Sequence, residues 1–406
     1  MKNYKLFLFT LLLPFSLFIE AKSPVCSDLK ESGFYQRRDL SIPGSRIVIN
    51  YYNFQSSKNA AEYSNRPTLP INVAYLTTRA NDSLPIKDPI IRFSRQVEDL
   101  LTIYKSIGNF EYTIKNEGSI AKSFETEWMP HELPFSANYD GGTSLKGKDF
   151  FFDENTIVRT ITFSGPDSEF YLSGKIKGSV YDYDNTVICN HNYINYAIKI
   201  NGSIGKVSYR DDIWYAKIST RDFKNKPLVI SIAFADRDES RDILLNRASL
   251  PLKSDLNQKV LANEKYWNDL MAKVPEPLNF GLESVDPKGV TPEQIRLAYY
   301  KAWVFTAMNV LQGDKDLYPY PQICTGKPSL WSEGEEKAPF SAAWESFIGI
   351  QLYAFIDPDV SWAAFKGLMS LVEEDGMLGG ESLPSRKAQT AMILYQLTGD
   401  KESLHV

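Results

Sequence analysis

The chain has 406 residues, a near-average globular composition and a net charge of −5, which together set aside intrinsic disorder, a collagen-like rod and a multi-span membrane protein. The acidic balance offers no electrostatic footprint for nucleic acid. Three cysteines and three histidines, widely scattered, do not make a zinc cluster; no metal and no cofactor is expected. One figure stands out. Aromatic residues reach 13%, with seven Trp, a level that fits either a β-rich core or flat rings presented to pyranose faces.

Lys2 and Lys5 precede an apolar run from Leu6 to Ile19, broken only by Thr10, Pro14 and Ser16. The run is shorter than the roughly 20 residues that span a bilayer, so no stable membrane span is expected. It reads as a secretory signal over residues 1–21, with Ala21 at the cleavage site. The mature protein is expected to be secreted or periplasmic. Ser23-Pro24-Val25-Cys26 is a weak lipobox, because Pro and Val stand where small residues are usual, and a lipid anchor at Cys26 is the lesser reading. Cys26, Cys189 and Cys324 allow at most one disulfide, and their spacing favours no pair.

Residues 22–240 read as an antiparallel β-sandwich. Arg46–Phe54 is β-branched and aromatic. Asn155–Ser164 alternates, with Ile157, Arg159, Ile161 and Phe163 on one side and Thr156, Val158, Thr160 and Thr162 on the other. Glu169–Tyr181, Tyr193–Asn201, Ile213–Thr220 and Pro227–Ala235 are further strands, and Asn201-Gly202-Ser203-Ile204-Gly205 signals a hairpin turn. Turns recur about every ten residues, as in a sandwich. Ser94–Ser106 differs: Val97, Leu100, Leu101 and Tyr104 follow a helical period, which predicts a short inserted helix.

The character changes after Asp236. Residues 241–290 form a linker region, with a helix over Asp255–Val274 whose buried face carries Tyr266, Trp267, Leu270 and Met271, stopped by Pro275-Glu276-Pro277. Residues 291–406 read as successive helices. The first opens at Thr291 as N-cap with Pro292 at the first helical position and runs to Leu311. A long loop over Gln312–Phe340 precedes helices at Ser341–Phe355, Asp359–Glu374 and Arg386–Thr398, the last ended by Gly399-Asp400. Helical hairpins in succession suggest an α/α architecture.

Two loops hold the candidate chemistry. Ala343-Trp344-Glu345-Ser346-Phe347 opens a helix, and Asp375-Gly376-Met377-Leu378-Gly379-Gly380-Glu381 joins two. An aromatic beside a carboxylate suits a sugar, the ring stacking on C–H faces and the carboxylate accepting from paired hydroxyls. Taken alone, the pair more readily describes a buried Trp beside a Glu that favours a helix N-terminus. Trp331 either walls the pocket or packs in the core. Arg386-Lys387 either binds an anionic sugar or is a solvated helix start, though cations there oppose the dipole. Glu333, Glu335 and Glu336 read as solvated, and His131 and His191 are isolated.

Residues 261–406 resemble the six-hairpin glycosidases of the trehalase, glycoside hydrolase family 63 and mannosyl-oligosaccharide glucosidase group. Four segments carry the resemblance in order: the aromatic linker Glu264-Lys265-Tyr266-Trp267-Asn268, then Trp344-Glu345-Ser346-Phe347, similar to a Trp-Asp-Ser-aromatic segment, then Asp375-Gly376-Met377-Leu378, then Leu394-Tyr395-Gln396-Leu397-Thr398-Gly399-Asp400. The resemblance implies a β-sandwich, a linker helix and an (α/α) six-hairpin toroid, incomplete here, with four helices or about a third of the ring after the linker. It also implies an inverting O-glycosidase acting on an oligosaccharide or glycoside, whose acid and base stand about 6.5–9.5 Å apart. The segments that supply that acid and base in the group are absent, so the chain is expected to be a fragment with its catalytic residues unassigned. Trp344, Glu345, Trp331, Glu381, Arg386 and Lys387 are then the expected substrate-binding residues. Two departures stand out: Glu345 replaces the group's Asp, and Leu383-Pro384-Ser385 replaces Gln-Pro-Pro. The competing reading is a non-catalytic carbohydrate-binding protein.

Overall fold

The computed structural model describes residues 23–32, 40–50, 71–75, 96–106, 121–175, 178–183, 186–191, 194–202, 208–210, 213–236, 239–277, 289–313, 318–324, 327, 343–378 and 386–405. Residues 1–21, expected above to be a signal peptide, lie outside these residues.

The strands in chain order are β1 (Glu31–Ser32), β2 (Ile47–Asn50), β3 (Ile71–Tyr75), β4 (Gln96–Lys105), β5 (Ser123–Trp128), β6 (Leu133–Asn138), β7 (Ser144–Asp153), β8 (Thr156–Ser164), β9 (Glu169–Lys175), β10 (Gly178–Tyr183), β11 (Thr186–His191), β12 (Ile194–Ile200), β13 (Ser208–Arg210), β14 (Ile213–Ser219) and β15 (Leu228–Asp236). They form two antiparallel sheets. One has the order β1-β5-β6-β7-β8-β15-β12-β11-β10 and the other β13-β14-β9-β4-β3-β2. Ile157 and Ile161 of β8 share a buried cluster with Phe170 and Leu172 of β9 and with Trp214, Ala216 and Ile218 of β14. The alternation read in Asn155–Ser164 thus points one side of β8 at the opposite sheet.

Three sequence expectations are corrected. Ser94–Ser106 holds strand β4, not a helix. It pairs with β3 and β9, and Leu101 and Ile103, two apart, are both fully buried. Pairing on both edges outweighs the local helical spacing. Glu169–Tyr181 is two strands in different sheets. Asn201-Gly202 is not a hairpin turn either, because β12 and β13 belong to different sheets. There the chain crosses over, and the Asn201 side chain ties the crossing down by accepting from Val229 N and donating to Pro227 O.

Six described α-helices follow: α1 (Arg241–Ser249), α2 (Leu256–Met271), α3 (Pro292–Met308), α4 (Ala343–Tyr353), α5 (Pro358–Met369) and α6 (Lys387–Thr398). Helix α1 was not foreseen. It covers the outer face of the large sheet, where Leu244 and Ala248 meet Ile188, Ala197, Ala233 and Ala235. Val260 of α2 meets Phe150, Val158 and Val229 on the same face. Strand β15 is therefore buried on both sides, which explains why its residues are apolar from Leu228 to Ala235 except for the buried Ser231. Asp255 caps α2 by accepting from Asn257 N and Gln258 N. Trp267, Leu270 and Met271 are buried as expected, but Tyr266 is 47% exposed.

Local signals at α3 hold well. The Thr291 hydroxyl accepts from Gln294 N, and the Gln294 side chain closes a capping box with Pro292 behind it. The helix ends at Met308, before Leu311, because Val310–Leu311 (β16) pairs with Gln322–Ile323 (β17). Likewise α5 ends at Met369, short of Glu374. Its Gly367 lets Tyr318 and Tyr320 come close: a Cβ there would meet the Tyr318 hydroxyl at 2.4 Å. Gly399, with φ of 72°, ends α6 in the left-handed region as anticipated.

The sandwich and the helices are joined at several points. Trp128 at the end of β5 stacks on Phe305 of α3, with centroids 5.7 Å apart. Glu31 pairs with Lys301. Cys26 N donates to Asn268 Oδ1 at 2.8 Å, and the Cys26 thiol, fully buried against α2, is pushed up to about 12 by burial and by Glu264. Gly44 N donates to Val310 O, and Gln312 N donates back to Gly44 O. Into this seam reaches Lys327, with no exposed surface, donating to Val310 O at 2.6 Å and Ile42 O at 3.2 Å. All three cysteines are buried, and no disulfide joins them. No described helix is long and apolar enough to cross a membrane.

Candidate functional site

Helices α4, α5 and α6 pack on one another, and two of the sequence-predicted residues meet at their ends. The Trp344-Glu345-Ser346-Phe347 segment forms the first turn of α4. Phe347 is buried and meets Phe365 of α5 edge-on at 6.2 Å. That anchor fixes the rotation of α4 and leaves Trp344 and Glu345 half-buried. Ser346 is buried, its hydroxyl without a partner.

Arg386 is the N-cap of α6. Its guanidinium lies over the Trp344 ring, 4.4 Å from the centroid, a cation–π contact. One nitrogen, Nη1, donates to Gln389 Oε1 at 2.9 Å. The Nε donor is shut off from solvent and has no acceptor. The backbone that carries Arg386 is held by a short buried chain. Gln351 Nε2 on α4 donates to Thr390 Oγ1 at 2.8 Å, and the Thr390 hydroxyl donates to Arg386 O at 2.8 Å. A packed helix pair and two hydrogen bonds thus set the Trp344–Arg386 separation, although the residues are 42 apart in sequence. Lys387 follows on the first turn of α6, half-buried.

The Asp375-Gly376-Met377-Leu378 segment is a tight turn between α5 and α6. Asp375 Oδ1 accepts from Met377 N at 2.9 Å, Val372 bridges Leu378, and Leu378 is fully buried. The Asp375 carboxylate is exposed and serves the turn. Trp331, Glu333, Glu335, Glu336 and Glu381 lie outside the described residues, as do the side chains of the remaining loop between β17 and α4 apart from Cys324 and Lys327. Among the described residues no group of three or more His, Cys, Asp or Glu is placed to hold a metal.

Sequence reasoning named Trp344 and Arg386 separately but missed the contact between them. It also missed Gln351 and Thr390, which read as ordinary helix polar residues. The sequence pattern gives Lys327 no role. A separate open cleft of about 480 Å³ lies on the sandwich, between Lys105, Thr143, Asp167, Ser168 and Glu169. Its polar groups already satisfy one another: Lys105 Nζ donates to Asp140 O and Thr143 Oγ1, and Thr143 shares a hydrogen bond with Ser168.

No protein-family model and no curated protein matches the sequence. Solved structures do match in shape. A candidate kojibiose phosphorylase from human microbiome superposes with a TM-score of 0.52 at 10% identity, over 91% of this chain and 53% of that one. A family GH92 inverting mannosidase from Bacteroides thetaiotaomicron gives 0.52 at 11% identity, over 91% and 51%. A family GH92 alpha-mannosidase from the same organism gives 0.50 at 11% identity, over 88% and 51%. The chain spans about half the length of these structures. At such identities the likeness is one of fold: an antiparallel β-domain followed by helices, in the arrangement these glycosidase-like proteins share.

Proposed function

We propose that the chain is an exported carbohydrate-active protein, glycoside hydrolase-like, that binds an oligosaccharide at the rim formed by the starts of α4 and α6. The observation that carries the reading is the fold likeness to two GH92 mannosidases and a candidate kojibiose phosphorylase, each over about nine-tenths of this chain. The half-buried Trp344–Glu345 pair at a helix start supports it, since ring and carboxylate together suit a pyranose. The finer assignments are the inverting O-glycosidase type, the incomplete six-hairpin toroid and kinship with the trehalase and family 63 group. They rest on the ordered motifs from Glu264 to Asp400. Export rests on the Lys2–Ala21 pattern. A lipid anchor at Cys26 is disfavoured by its thiol, which has no exposed surface where a thioether would have to emerge.

In this reading Glu345 grips sugar hydroxyls rather than donating a proton. The general acid and base are not assigned to any residue of this chain, so the non-catalytic binding reading stays beside the enzymatic one. Calorimetric titration with kojibiose and with an α-linked mannobiose tests the common part. At least one disaccharide is expected to bind, and a Trp344→Ala/Glu345→Ala protein of native circular dichroism to lose that binding by more than tenfold. Trp344→Phe, which keeps a flat ring, should lose less. Affinity unchanged in the double variant would sink the site.

A further inference from the structure

Arg386 is costly where it stands, and the cost indicates what belongs beside it. A cation at a helix N-terminus opposes the helix dipole, and the first turn of α6 carries no acidic residue to offset it. A second cation, Lys387, follows directly. Among the described residues, no carboxylate pairs with Arg386: its polar contact is the neutral Gln389. Its Nε is enclosed without an acceptor, a state that buried donors rarely keep. Its guanidinium carbon lies over the Trp344 ring, and its backbone is pinned by Thr390 and Gln351. The side chain is thus held in place, positively charged and incompletely satisfied.

A neutral pyranose can use only what the guanidinium leaves open of the Trp344 ring, and it offers the cation no charge. An acidic sugar offers one. Its carboxylate can meet the outer Nη edge of the guanidinium, while its ring extends along the Trp344 edge toward Glu345. Such a contact gives the cation charge-assisted hydrogen bonds of matched fork geometry that the neutral Gln389 does not supply. We propose that Trp344 and Arg386 form a subsite for an acidic sugar, with Arg386 gripping its carboxylate and setting specificity. This rests on the carbohydrate reading above and narrows it to anionic glycans.

The test compares an α-linked mannobiose with the same disaccharide oxidised to a carboxylate at C6 of its non-reducing residue, by calorimetry on the full chain in about 50 mM salt. The acidic form is expected to bind at least tenfold tighter, with the preference shrinking as salt is added. In Arg386→Gln the preference should fall below about twofold. Arg386→Lys, which keeps charge but not the fork, should retain only part of it. Equal binding of the two disaccharides, or a preference that survives Arg386→Gln, overturns the proposal and leaves the carbohydrate reading standing. Binding of inorganic phosphate with no preference between the disaccharides overturns it in favour of a free-anion site. Failure of both disaccharides and of phosphate to bind overturns it together with the carbohydrate reading.

Discussion

Replacing Asp149 by Ala is expected to destabilise the sandwich by about 3–5 kcal/mol. Asp149 on β7 and Arg159 on β8 face each other directly in the register of the two strands. Arg159 Nε and Nη2 donate to Asp149 Oδ1 and Oδ2 at 2.8 and 2.9 Å. Neither side chain has exposed surface, and the guanidinium also lies 4.9 Å from the Phe135 ring centroid. Removing the carboxylate strands a buried charge, which costs far more than the pair itself contributes. The sequence pattern groups Arg159 with Ile157, Ile161 and Phe163, and the structure turns that side of β8 toward the opposite sheet, so Arg159 cannot turn to solvent without shifting the strand. A volume-matched apolar pair, Asp149→Leu with Arg159→Met, is expected to cost far less than the single change. Urea unfolding of the three proteins measures both. A single-variant loss below about 1 kcal/mol would show that the pair is solvated.

The second large effect depends on pH. Burial pushes the Lys327 amine down to about 7 from an ordinary value of 10.5. Its two acceptors, Val310 O and Ile42 O, match the two N–H donors of a neutral amine. Below about pH 7 the amine is protonated in both folded and unfolded chains, so it adds no pH dependence. Between about 7 and 10.5 the unfolded chain holds the proton that the folded chain has released. Stability therefore rises with pH across that window, by about 2 kcal/mol from pH 7 to pH 9. Other groups titrate as well, so the informative quantity is the wild-type curve minus that of Lys327→Met, in which this rise should vanish. Coinciding slopes would mean that the amine reaches water. The seam it stabilises joins the Leu40–Asn50 segment of the sandwich to the β16–β17 segment of the helical part. Loosening should therefore appear first as faster hydrogen exchange at Gly44 and Gln312, whose amides cross that seam.

Much of the fold is legible where the signal is local. Thr291 and Pro292 mark the start of α3, Gly399 the end of α6, and the alternation through Ile157, Arg159 and Ile161 the two-faced strand β8. Each depends on a few neighbouring residues. Legibility fails where the partner is distant. Val97, Leu100, Leu101 and Tyr104 have a helical period, yet β4 is a strand because β3 and β9 flank it. Asn201-Gly202 has turn chemistry, but whether a turn closes a hairpin or crosses between sheets depends on where β13 pairs. The linker tyrosine Tyr266 sits beside a buried tryptophan and is itself exposed. The same divide runs through the candidate site. Trp344, Glu345, Arg386 and Lys387 are recognisable as chemical types in a motif order. The contact of Arg386 with Trp344, and the Gln351–Thr390 link that holds it, depend on the packing of α4 against α6, which no local pattern encodes.

The central claim, that sugar is held where α4 and α6 begin, is tested most directly by hydrogen exchange read by mass spectrometry, with and without the disaccharide that binds most tightly by calorimetry. The account predicts ligand-dependent protection in peptides covering Trp344–Phe347 and Arg386–Thr390, and unchanged exchange around Asp140–Thr143 and Gly165–Glu169 on the sandwich cleft. Protection confined to that cleft, or absent from both helix starts at saturating ligand, would contradict it.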